Sequence, residues 1–509
     1  MNTGTNCRAF FVKGFAMILA LVLSVGTFAF HVGAAEEGTG YISKDTVLCQ
    51  SRKSSTADID RIKNVIVEGI IAYAEKIDIS AYRIDVSLEN VYALYDFFFY
   101  DLPEAFHLSS FYYNYSGSGY LTSIIPVYDY TKDEYMEMKG KLDAAEKELL
   151  SDILAEDDLT DVQKALLLHD RIIVNCEYDM SFSKPNRYNM YGALVDGVAV
   201  CQGYANAYMY LLKKVGIRSE LCISEKLNHT WNIVYIDGVA YHVDVTWDDP
   251  AYDVTGQVFH MNFLLSTDEL RADKKDYADR VHDGHDAKDF DTTPKSERYS
   301  NHFWQDSEAE FQFVDGHIYY INSKIEKIRE WDVDRDRDCD HDNDGNVCSV
   351  KDTWKANGGV WNGNFSRLSS DRDGVLFYSL SEDVHSYNLE SGEDNIVYTP
   401  EKEENQSLCI YGFTYRDQAF VCEMNSSPNF DENTKNEHTL TLPYEKEEPA
   451  LIGDVNGDGK VNSIDANIFA RYISMGAPEV VFANSDINGD GKADSKDMNM
   501  LKRLISGIL

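Results

Sequence analysis

Hydrophobic and polar positions follow two different periods in the first third of this chain. In residues 36–155, IDRIKNVIVEGIIAYAEKI has the period of an amphipathic helix. SSFYYNYSGSGYLTSIIPVYDYT has the composition of two aromatic-rich strands around a Gly/Ser turn. KDEYMEMKGKLDAAEKELLSDIL then predicts a charged helix. Residues 36–155 are therefore predicted to form an N-terminal α+β region.

Helical periodicity continues in residues 156–295. DLTDVQKALLLHDRIIVNCEYD opens with a capping box formed by Thr160 and Gln163. A second helix is predicted to begin at Cys201, within GVAVCQGYANAY, and to stop at Gly216. Its apolar positions are Ala205, Tyr208, Met209, Leu212 and Val215.

Strand-like alternation appears in NHTWNIVYIDGVAYHVDVTWDDP, where Asp237 and Gly238 give the strongest short hairpin signal. With these two residues as the turn, Ile236 opposes Val239. The same register places Trp231 opposite Asp244 and His229 opposite Thr246. His229 and Asp244 thus become diagonal neighbours on one face. The other face is predicted to be core and carries Val234, Ile236, Val239, Tyr241, Val243 and Val245.

Residues 296–444 change to short aromatic and β-branched runs separated by Asp, Gly, Asn and Ser. DGHIYY (from Asp315) and DGVLFY (from Asp373) repeat a strand-opening unit, and YGFTYRDQAFVC adds a third hairpin-like stretch. This pattern predicts an all-β module, propeller-like or sandwich. A polar linker, 445–450, then leads to a C-terminal segment, 451–509.

The N-terminal residues predict that the mature chain is exported. Arg8 and Lys13 precede the apolar run FAMILALVLSVGTFAF, and small residues follow up to Ala35, so residues 1–35 are predicted to be a signal peptide. No comparable apolar run follows, so no transmembrane segment is expected in the mature chain. The net charge of −39 argues against nucleic acid as a partner, because phosphates would be repelled.

Cysteine usage leaves several pairings open. Cys339 with Cys348, and Cys409 with Cys422, are close enough in sequence to bridge hairpins, but spacing does not fix connectivity. Cys201 has three interpretations: half of a disulfide, a buried small hydrophobe, or a nucleophile.

A nucleophile is favoured by its surroundings. The start of a helix carries positive partial charge, which favours thiolate over thiol. With His229 as proton shuttle and Asp244 as its orienting carboxylate, Cys201 completes a nucleophile–base–orienter set for attack on an acyl carbon. Among the other histidines, His169 is expected to be a packing or hydrogen-bonded residue. His242 shares the hairpin face of Asp244, and His260 is expected to pack near the site.

The C-terminal segment repeats one twelve-residue pattern, DVNGDGKVNSID at 454–465 and DINGDGKADSKD at 486–497. Alternating oxygen ligands around a glycine follow the calcium-loop logic of the EF-hand. Two calcium ions are therefore predicted, and no cofactor is expected for catalysis. The ligands would be Asp454, Asn456, Asp458, Lys460 (through its carbonyl), Asn462 and Asp465, then Asp486, Asn488, Asp490, Lys492, Asp494 and Asp497.

A similar start occurs in DCDHDNDGNVC, with Asp340, Asp342, Asp344 and Gly345. Its twelfth position is Lys351, so the carboxylate that closes a calcium loop is missing. An acidic hairpin is favoured there over a calcium site.

Three blocks in the centre of the chain resemble the transglutaminase-like superfamily, most closely its bacterial cysteine protease-like branch. They are ALLLHDRIIVNCEYD with GALVDGVAVCQGYANAYMYLLKKVGI, then NHTWNIVYIDG, then YHVDVTWDDP. The resemblance implies an α+β papain/transglutaminase-like catalytic domain over 156–295, with the catalytic Cys, His and Asp at Cys201, His229 and Asp244. Thr230 departs mildly from the family pattern, in which Ala is common.

The duplicated loop-plus-helix units, with Asp rather than Glu at position twelve, resemble a type I dockerin. This implies a small all-α calcium-binding domain over 451–509 that docks onto a cohesin of a cellulosome-type scaffold. In that family, recognition uses positions ten and eleven, here Ser463, Ile464, Ser495 and Lys496. The two pairs differ, so equal binding by both halves is not expected.

Together these patterns predict a secreted, scaffold-associated cysteine acyl-transfer enzyme acting on a peptide or glutamine amide, as a peptidase or a transglutaminase-like enzyme. Hydrolysis is preferred, because water is always available. Two alternatives remain open: a non-catalytic adhesion or interaction protein, and a polysaccharide-degradation component of the same complex. No paired-carboxylate framework for glycoside cleavage stands out.

Overall fold

The structure is a computed structural model that describes residues 37–43, 56–249, 254–272, 290–331, 346–350, 365–400, 408–425, 438–444, 451–476 and 480–507. The predicted signal peptide, the linker 445–450 and the acidic motif at 340–345 lie outside the described residues. The chain forms two compact units. One contains the described residues up to Phe413 with 423–425, and the other contains 414–422 with the described residues from His438 onwards. None of the helices described could cross a membrane, because none is both long and apolar enough.

The N-terminal region combines short helices with a four-stranded antiparallel sheet. The predicted aromatic hairpin is confirmed as the β3–β4 pair, and the sheet order is β1-β3-β4-β2. The strands are β1 Gly38–Ser43, β2 Ile77–Asp78, β3 Leu108–Tyr115 and β4 Leu121–Tyr128. The helices are α1 Ala57–Asp60, α2 Lys63–Ile71 and α3 Leu88–Asp96, which continues into a π-helical turn, Phe97–Asp101. Helices and sheet enclose one apolar cluster.

Two capped helices follow, α4 Lys132–Ala155 and α5 Asp161–Ile173. The capping box predicted for α5 is confirmed: the Gln163 N–H donates to Thr160 Oγ1 at 3.3 Å, and the Thr160 N–H donates to Gln163 Oε1 at 2.9 Å. These bonds satisfy backbone donors that have no partner inside the helix, and so define where α5 begins.

The predicted helix at the cysteine is α6, Cys201–Lys214. It follows a short parallel pair, β5 Glu177–Tyr178 and β6 Val198–Ala199. Next comes an antiparallel sheet of order β7-β8-β9, formed by Ser219–Ser224, His229–Ile236 and Val239–Val243. Two short helices then follow, α7 Val245–Asp248 and α8 Thr267–Arg271.

The β8–β9 turn has the predicted geometry. Asp237 and Gly238 have φ angles of 52° and 77°, as a two-residue hairpin turn of this type requires. Ile236 pairs with Val239, as the sequence predicted. This short turn fixes the register of the two strands that carry His229 and lead to Asp244.

Helix α6 lies between α5 and this sheet. The Tyr208 hydroxyl donates to Ala165 O of α5 at 2.9 Å, and Asn232 Nδ2 of β8 donates to Ala205 O at 3.0 Å. Ten residues of α6 are buried, so the helix is held on both sides. Its N-terminus, and therefore Cys201, is fixed relative to the strand that begins at His229.

Beyond Gln312, the described residues of the first unit contain strands and no helix. Two sheets, β10-β11-β12-β13 and β14-β15-β16-β17, each join strands in sequence order. Asp315 and Gly316 precede β11, and Asp373 and Gly374 precede β15, so the repeated unit opens the second strand of each sheet. The strands of these two sheets are β10 Gln312–Val314, β11 His317–Asn322, β12 Lys327–Glu330, β13 Asn346–Ser349, β14 Leu368–Ser370, β15 Val375–Ser379, β16 Val384–Asn388 and β17 Asp394–Tyr398. Three more strands follow in the chain, β18 Cys409–Arg416, β19 Ala419–Asn425 and β20 His438–Pro443, of which β20 belongs to the second unit.

The largest apolar cluster extends beyond the central segment. Leu149 and Ile153 of α4 and the α5–α6 core belong to it, and so do Phe311, Tyr320 and Trp331. All of these side chains are at most 6% exposed. The first unit therefore combines mixed helices with several separate sheets around a core that residues on both sides of 156–295 help to build.

In the second unit, the duplicated segment forms three helices, α9 Ser463–Met475, α10 Phe482–Ser485 and α11 Ser495–Ile505. The helices α9 and α11 pack together over a small core of Val455, Phe469, Met498 and Leu501. Gly476 adopts φ 70° and ends α9, as a left-handed helix cap does.

Candidate functional site

Cys201 is the first residue of α6 and is only partly buried. Val200, at the N-cap position, is extended and offers no side-chain cap to the first N–H groups of α6. Val200 N donates to Arg187 O at 2.9 Å, which holds the approach to the helix in place. The thiol of Cys201 is free, so the disulfide interpretation of this residue is wrong.

His229 and Asp244 are in contact, with His229 Nε2 at 2.6 Å from Asp244 Oδ2. His229 begins β8 and is 7% exposed, while Asp244 is fully buried. The contact predicted between these two side chains is therefore confirmed.

The route to this contact differs from the predicted one. The β8–β9 ladder ends at Asn232 opposite Val243, so Asp244 is not paired with Trp231, and Thr246 lies in a helix. Asp244 is the N-cap of α7, and its Oδ1 accepts the Trp247 N–H at 3.1 Å. Aspartate is a strong N-cap residue, and here capping overrides the extension of the strand.

The predicted core face is confirmed for Val234, Ile236, Tyr241, Val243 and Val245, which are at most 2% exposed, but the face of His229 is buried as well. Trp231 and Ile233, which share the side of His229, are each 1% exposed, because Leu265, Leu270 and Phe290 cover them. Val239, predicted to be core, is 42% exposed beside the turn. The hairpin is covered on both faces, so alternation along the strands could not separate core from site.

The electrostatics of His229 place Cys201 beside it. Burial alone would lower the pKa of His229, but the charge and hydrogen bond of Asp244, followed by a hydrogen bond with Cys201, raise that pKa to about 10. The structure thus brings Cys201, His229 and Asp244 together in the order thiol, imidazole, carboxylate.

Two tryptophans that sequence reasoning missed lie against the His229 ring. The Trp231 ring centroid is 5.5 Å away at an interplanar angle of 21°, and that of Trp247 is 5.2 Å away at 27°. Trp231 Nε1–H also donates to His242 Nδ1 at 3.1 Å, so His242 is a hydrogen-bond partner of Trp231. The available signal was local, because one tryptophan follows His229 by two residues and the other follows Asp244 by three.

Tyr178 and Tyr204 are further neighbours of the site. Burial raises the pKa of Tyr178, and the charges of Cys201 and Asp244 add to this effect, so Tyr178 lies close to both. The Tyr204 hydroxyl donates to Cys176 O at 2.9 Å and also to Asp249. Tyr204, within the predicted motif, therefore ties α6 to Cys176, just before β5, and to Asp249, just after α7.

His169 and His260 lie in a separate buried group with Asp170 and Asp248. His169 bonds to Asp170 and Asp248, as expected of a hydrogen-bonded histidine. His260 bonds to Asp170 and to Ser307 O. Sequence alone did not indicate this grouping, because its members come from α5, α7 and the loop after α7.

The second unit contains two segments with the same internal hydrogen bonds. Asp454 accepts the N–H groups of Asp458 (3.0 Å) and Gly459 (2.8 Å). Asp486 accepts those of Asp490 (3.1 Å) and Gly491 (2.8 Å) in the same way. Each segment therefore wraps its backbone around its first carboxylate.

The twelfth residues match as well. Asp465 accepts the N–H groups of Asn456 (3.3 Å) and Asn462 (2.8 Å). Asp497 accepts those of Asn488 (3.0 Å) and Asp494 (2.9 Å). Asp465 and Asp497 are fully buried. Aspartate and asparagine side chains supply the oxygen ligands that calcium takes, so the residue types present in both segments fit such an ion.

The four predicted recognition residues occupy the starts of α9 and α11. Ile464 is 53% exposed, whereas Lys496 Nζ lies 3.0 Å from Asp490 Oδ2. The two helix starts thus present different chemistry, apolar in one and cationic in the other.

One of the two disulfides that the sequence allowed, Cys409–Cys422, is not present in the structure. Cys422 carries a free thiol, so the Cys409–Cys422 bridge is not formed. Cys422 is buried, and burial raises the pKa of its thiol to about 12. Cys348 is also a free thiol, while Cys339 lies outside the described residues.

Comparison with known families agrees with these observations. Residues 148–245 match the transglutaminase-like superfamily, and residues 452–506 match the type I dockerin domain. The chain therefore contains a transglutaminase-like domain and a C-terminal type I dockerin. Type I dockerins bind calcium and imply docking onto a cohesin.

Similar solved structures include a transglutaminase, at 12% identity and a TM-score of 0.20, covering 29% of this chain and 46% of that chain. A second is a protein of Cytophaga hutchinsonii assigned as a cysteine protease, at 19% identity and a TM-score of 0.17, covering 27% of this chain and 53% of that chain. The chain thus spans about half the length of each of these two proteins. No curated protein sequence matches it.

Proposed function

We propose that this chain is a scaffold-docked cysteine acyl-transfer enzyme that acts on peptide or glutamine amides. The observation that carries the proposal is the arrangement of the three side chains. The Cys201 thiol and the His229 ring are close enough to interact, and His229 Nε2 lies 2.6 Å from Asp244 Oδ2. A nucleophile, a base and a carboxylate that orients the base are the minimum set for acyl transfer.

In the first half-reaction, Cys201 Sγ attacks the amide carbon and its proton resides on His229. The carbonyl oxygen becomes an oxyanion, which the N–H groups at the start of α6 are placed to stabilise. As the C–N bond breaks, His229 returns the proton to the departing nitrogen, leaving a thioester on Cys201.

In the second half-reaction, a water molecule attacks the thioester carbon while His229 accepts its proton. The C–S bond breaks, the thiolate of Cys201 is restored and a carboxylic acid leaves. Attack by an amine at this step would give a new amide instead. Throughout, Asp244 remains ionised and stabilises the His229 cation, since its Oδ2 is bonded to the ring and its Oδ1 to a backbone N–H.

The buried carboxylates of the dockerin support a second part of the proposal, that each repeated segment holds one calcium ion. With both ions bound, α9 and α11 would present Ser463, Ile464, Ser495 and Lys496 to a cohesin on an extracellular scaffold. The transglutaminase-like domain would then be delivered to substrates near that scaffold.

The test is iodoacetamide labelling of the full chain at pH 7, with peptide mapping and an assay for release of amine from peptide amides. Cys201 should label faster than a free model thiol, and Cys201→Ala should abolish amide cleavage. Cys348→Ala is the matched control: its thiol is also partly buried, but burial raises its pKa to about 12, so its loss should change neither readout. Amide cleavage that survives Cys201→Ala would refute the proposed chemistry.

A further inference from the structure

A buried group of four ionisable side chains lies outside the Cys201–His229 pair. His169 and Asp170 belong to α5, Asp248 ends α7, and His260 lies in the loop that follows. Each of the four side chains is at most 1% exposed. Ionisable groups that are this buried must be paired, because an isolated charge is strongly disfavoured away from water.

Every ring nitrogen of the two histidines faces an oxygen acceptor. His169 Nδ1 lies 2.8 Å from Asp170 Oδ1, and its Nε2 lies 3.2 Å from Asp248 Oδ2. His260 Nε2 lies 3.0 Å from Asp170 Oδ1, and its Nδ1 lies 3.1 Å from Ser307 O. A neutral imidazole has one N–H, so a neutral ring cannot donate both of its bonds.

Two histidines and two aspartates therefore lie within hydrogen-bond distance of one another in this group. Burial alone would lower the pKa of His169, but its bonds to Asp170 and Asp248 raise that pKa to about 9. The titratable neighbours are Tyr208, whose ring centroid is 6.4 Å from that of His169, and Glu310, whose pKa burial and Asp170 raise.

A metal ion is the competing explanation, since ligand atoms of His169, Asp170 and His260 lie within 4.8 Å of one another. A closed structural zinc site needs four protein ligands. This described group supplies three, and Asp248 faces the other nitrogen of the His169 ring. The arrangement therefore favours hydrogen bonds over metal coordination.

The group is connected to Asp244 through Asn262. The carboxylate of Asp248 accepts the Asn262 N–H at 2.9 Å and its side-chain N–H at 3.0 Å. Asn262 O in turn accepts the Asp244 N–H at 3.0 Å. Asp244 and Asp248 are also the two ends of the single turn of α7, so fixing one end restrains the other.

We propose that His169 and Asp248 are positioning residues, which hold α7 and Asn262 so that the Asp244 carboxylate meets His229. The proposal rests on the proposed function for its consequence in catalysis, but the positioning itself is measurable without turnover. Asp170 and His260 complete the hydrogen-bonded group.

The test compares Asp248→Asn with wild type in the rate of Cys201 alkylation between pH 5 and 9, measured on the full chain. An amide oxygen cannot accept from all three donors that face Asp248, so α7 should shift and the His229–Asp244 bond should weaken. We expect alkylation at pH 7 to slow at least about tenfold and the pH of half-maximal rate to rise. His169→Gln, which leaves the Asn262 bonds in place, should give a smaller change in the same direction and serves if Asp248→Asn does not fold.

Two controls separate positioning from stability. Glu330→Gln removes the partner of an exposed histidine, His317, and should leave both alkylation and melting temperature unchanged. His260→Gln should lower the melting temperature while leaving the alkylation profile near that of wild type. Alkylation that falls only in proportion to lost stability in all variants would overturn the proposal. One equivalent of tightly bound transition metal, beyond the two calcium ions proposed for the dockerin, would also overturn it. Failure of the proposed function would appear separately, as amide cleavage that survives Cys201→Ala.

Discussion

Asp244 uses its two carboxylate oxygens for different tasks, since Oδ2 lies 2.6 Å from His229 Nε2 while Oδ1 accepts the Trp247 N–H at 3.1 Å. One residue therefore ends the strand, starts a helix and orients the imidazole. The Asp244 side chain thus holds the start of α7 in place and also supplies the negative charge that faces His229.

This double role predicts a contrast between two substitutions. Asp244→Asn keeps an N-cap residue but removes the charge, so amide cleavage should fall by about 10⁴-fold. It should also lose the stability that the His229–Asp244 pair contributes below pH 10. Asp244→Ala should lose the same activity and in addition about 1 kcal/mol of unfolding free energy, because the cap is gone. Steady-state kinetics and urea unfolding measure the two effects. Substantial activity in Asp244→Asn would contradict the assigned role.

The raised pKa of His229 predicts a pH-dependent contribution to stability. The folded-state pKa is about 10, above the usual value of about 6.5, so protonated His229 stabilises the fold fully below pH 6.5. This contribution is lost as pH rises towards 10. The difference in unfolding free energy between wild type and His229→Gln should therefore shrink from pH 6 to pH 10. His169 is unchanged in both proteins, so its titration cancels, and a difference that grows with pH would contradict the prediction.

The two tryptophans beside His229 should differ in what they contribute. Trp247 is partly exposed, so Trp247→Phe should mainly lower kcat/KM, by about tenfold, through looser placement of the ring. Trp231 is buried and donates to His242, so Trp231→Phe should also cost about 1–3 kcal/mol of stability, because a buried acceptor loses its donor. Equal losses of stability in the two variants would show that both act only through packing.

The symmetry of the dockerin segments predicts a simple stoichiometry. Asp465→Asn and Asp497→Asn should each remove one of two bound calcium ions, and the double variant should remove both. Equilibrium dialysis with the full chain measures this directly, and each single variant is the control for the other. Cohesin binding should be lost on chelation with EDTA. Two equivalents of calcium retained by the double variant would exclude these carboxylates as ligands.

Local patterns predicted a large part of the site. The Asp237–Gly238 turn, the start of α6 at Cys201 and the capping box of α5 all depend on residues close in sequence, and the structure has them as expected. The contact between His229 and Asp244 was also predicted, but from a hairpin register that the structure does not continue beyond Val243. Each of these features needs fewer than about twenty residues to be specified.

The features that sequence reasoning missed depend on distant segments. Strand β9 ends at Val243 because Asp244 caps a helix, and both hairpin faces are buried because a segment near Phe290 covers the second one. The bond between His169 and Asp248 joins residues 79 positions apart. Hydrophobic periodicity carries no information about such contacts, since it reports only which side of one element faces the core.

The core shared by α4, α5 and the strands near Trp331 has a practical consequence for fragments of this protein. A fragment ending at residue 295 would lose Ser307 O and the Phe311 N–H, which bond to His260 and Asp170. It would also expose the cavity that Phe311, Tyr320 and Trp331 fill in the main cluster. The smallest folded piece that retains a reactive Cys201 should therefore extend at least through Trp331.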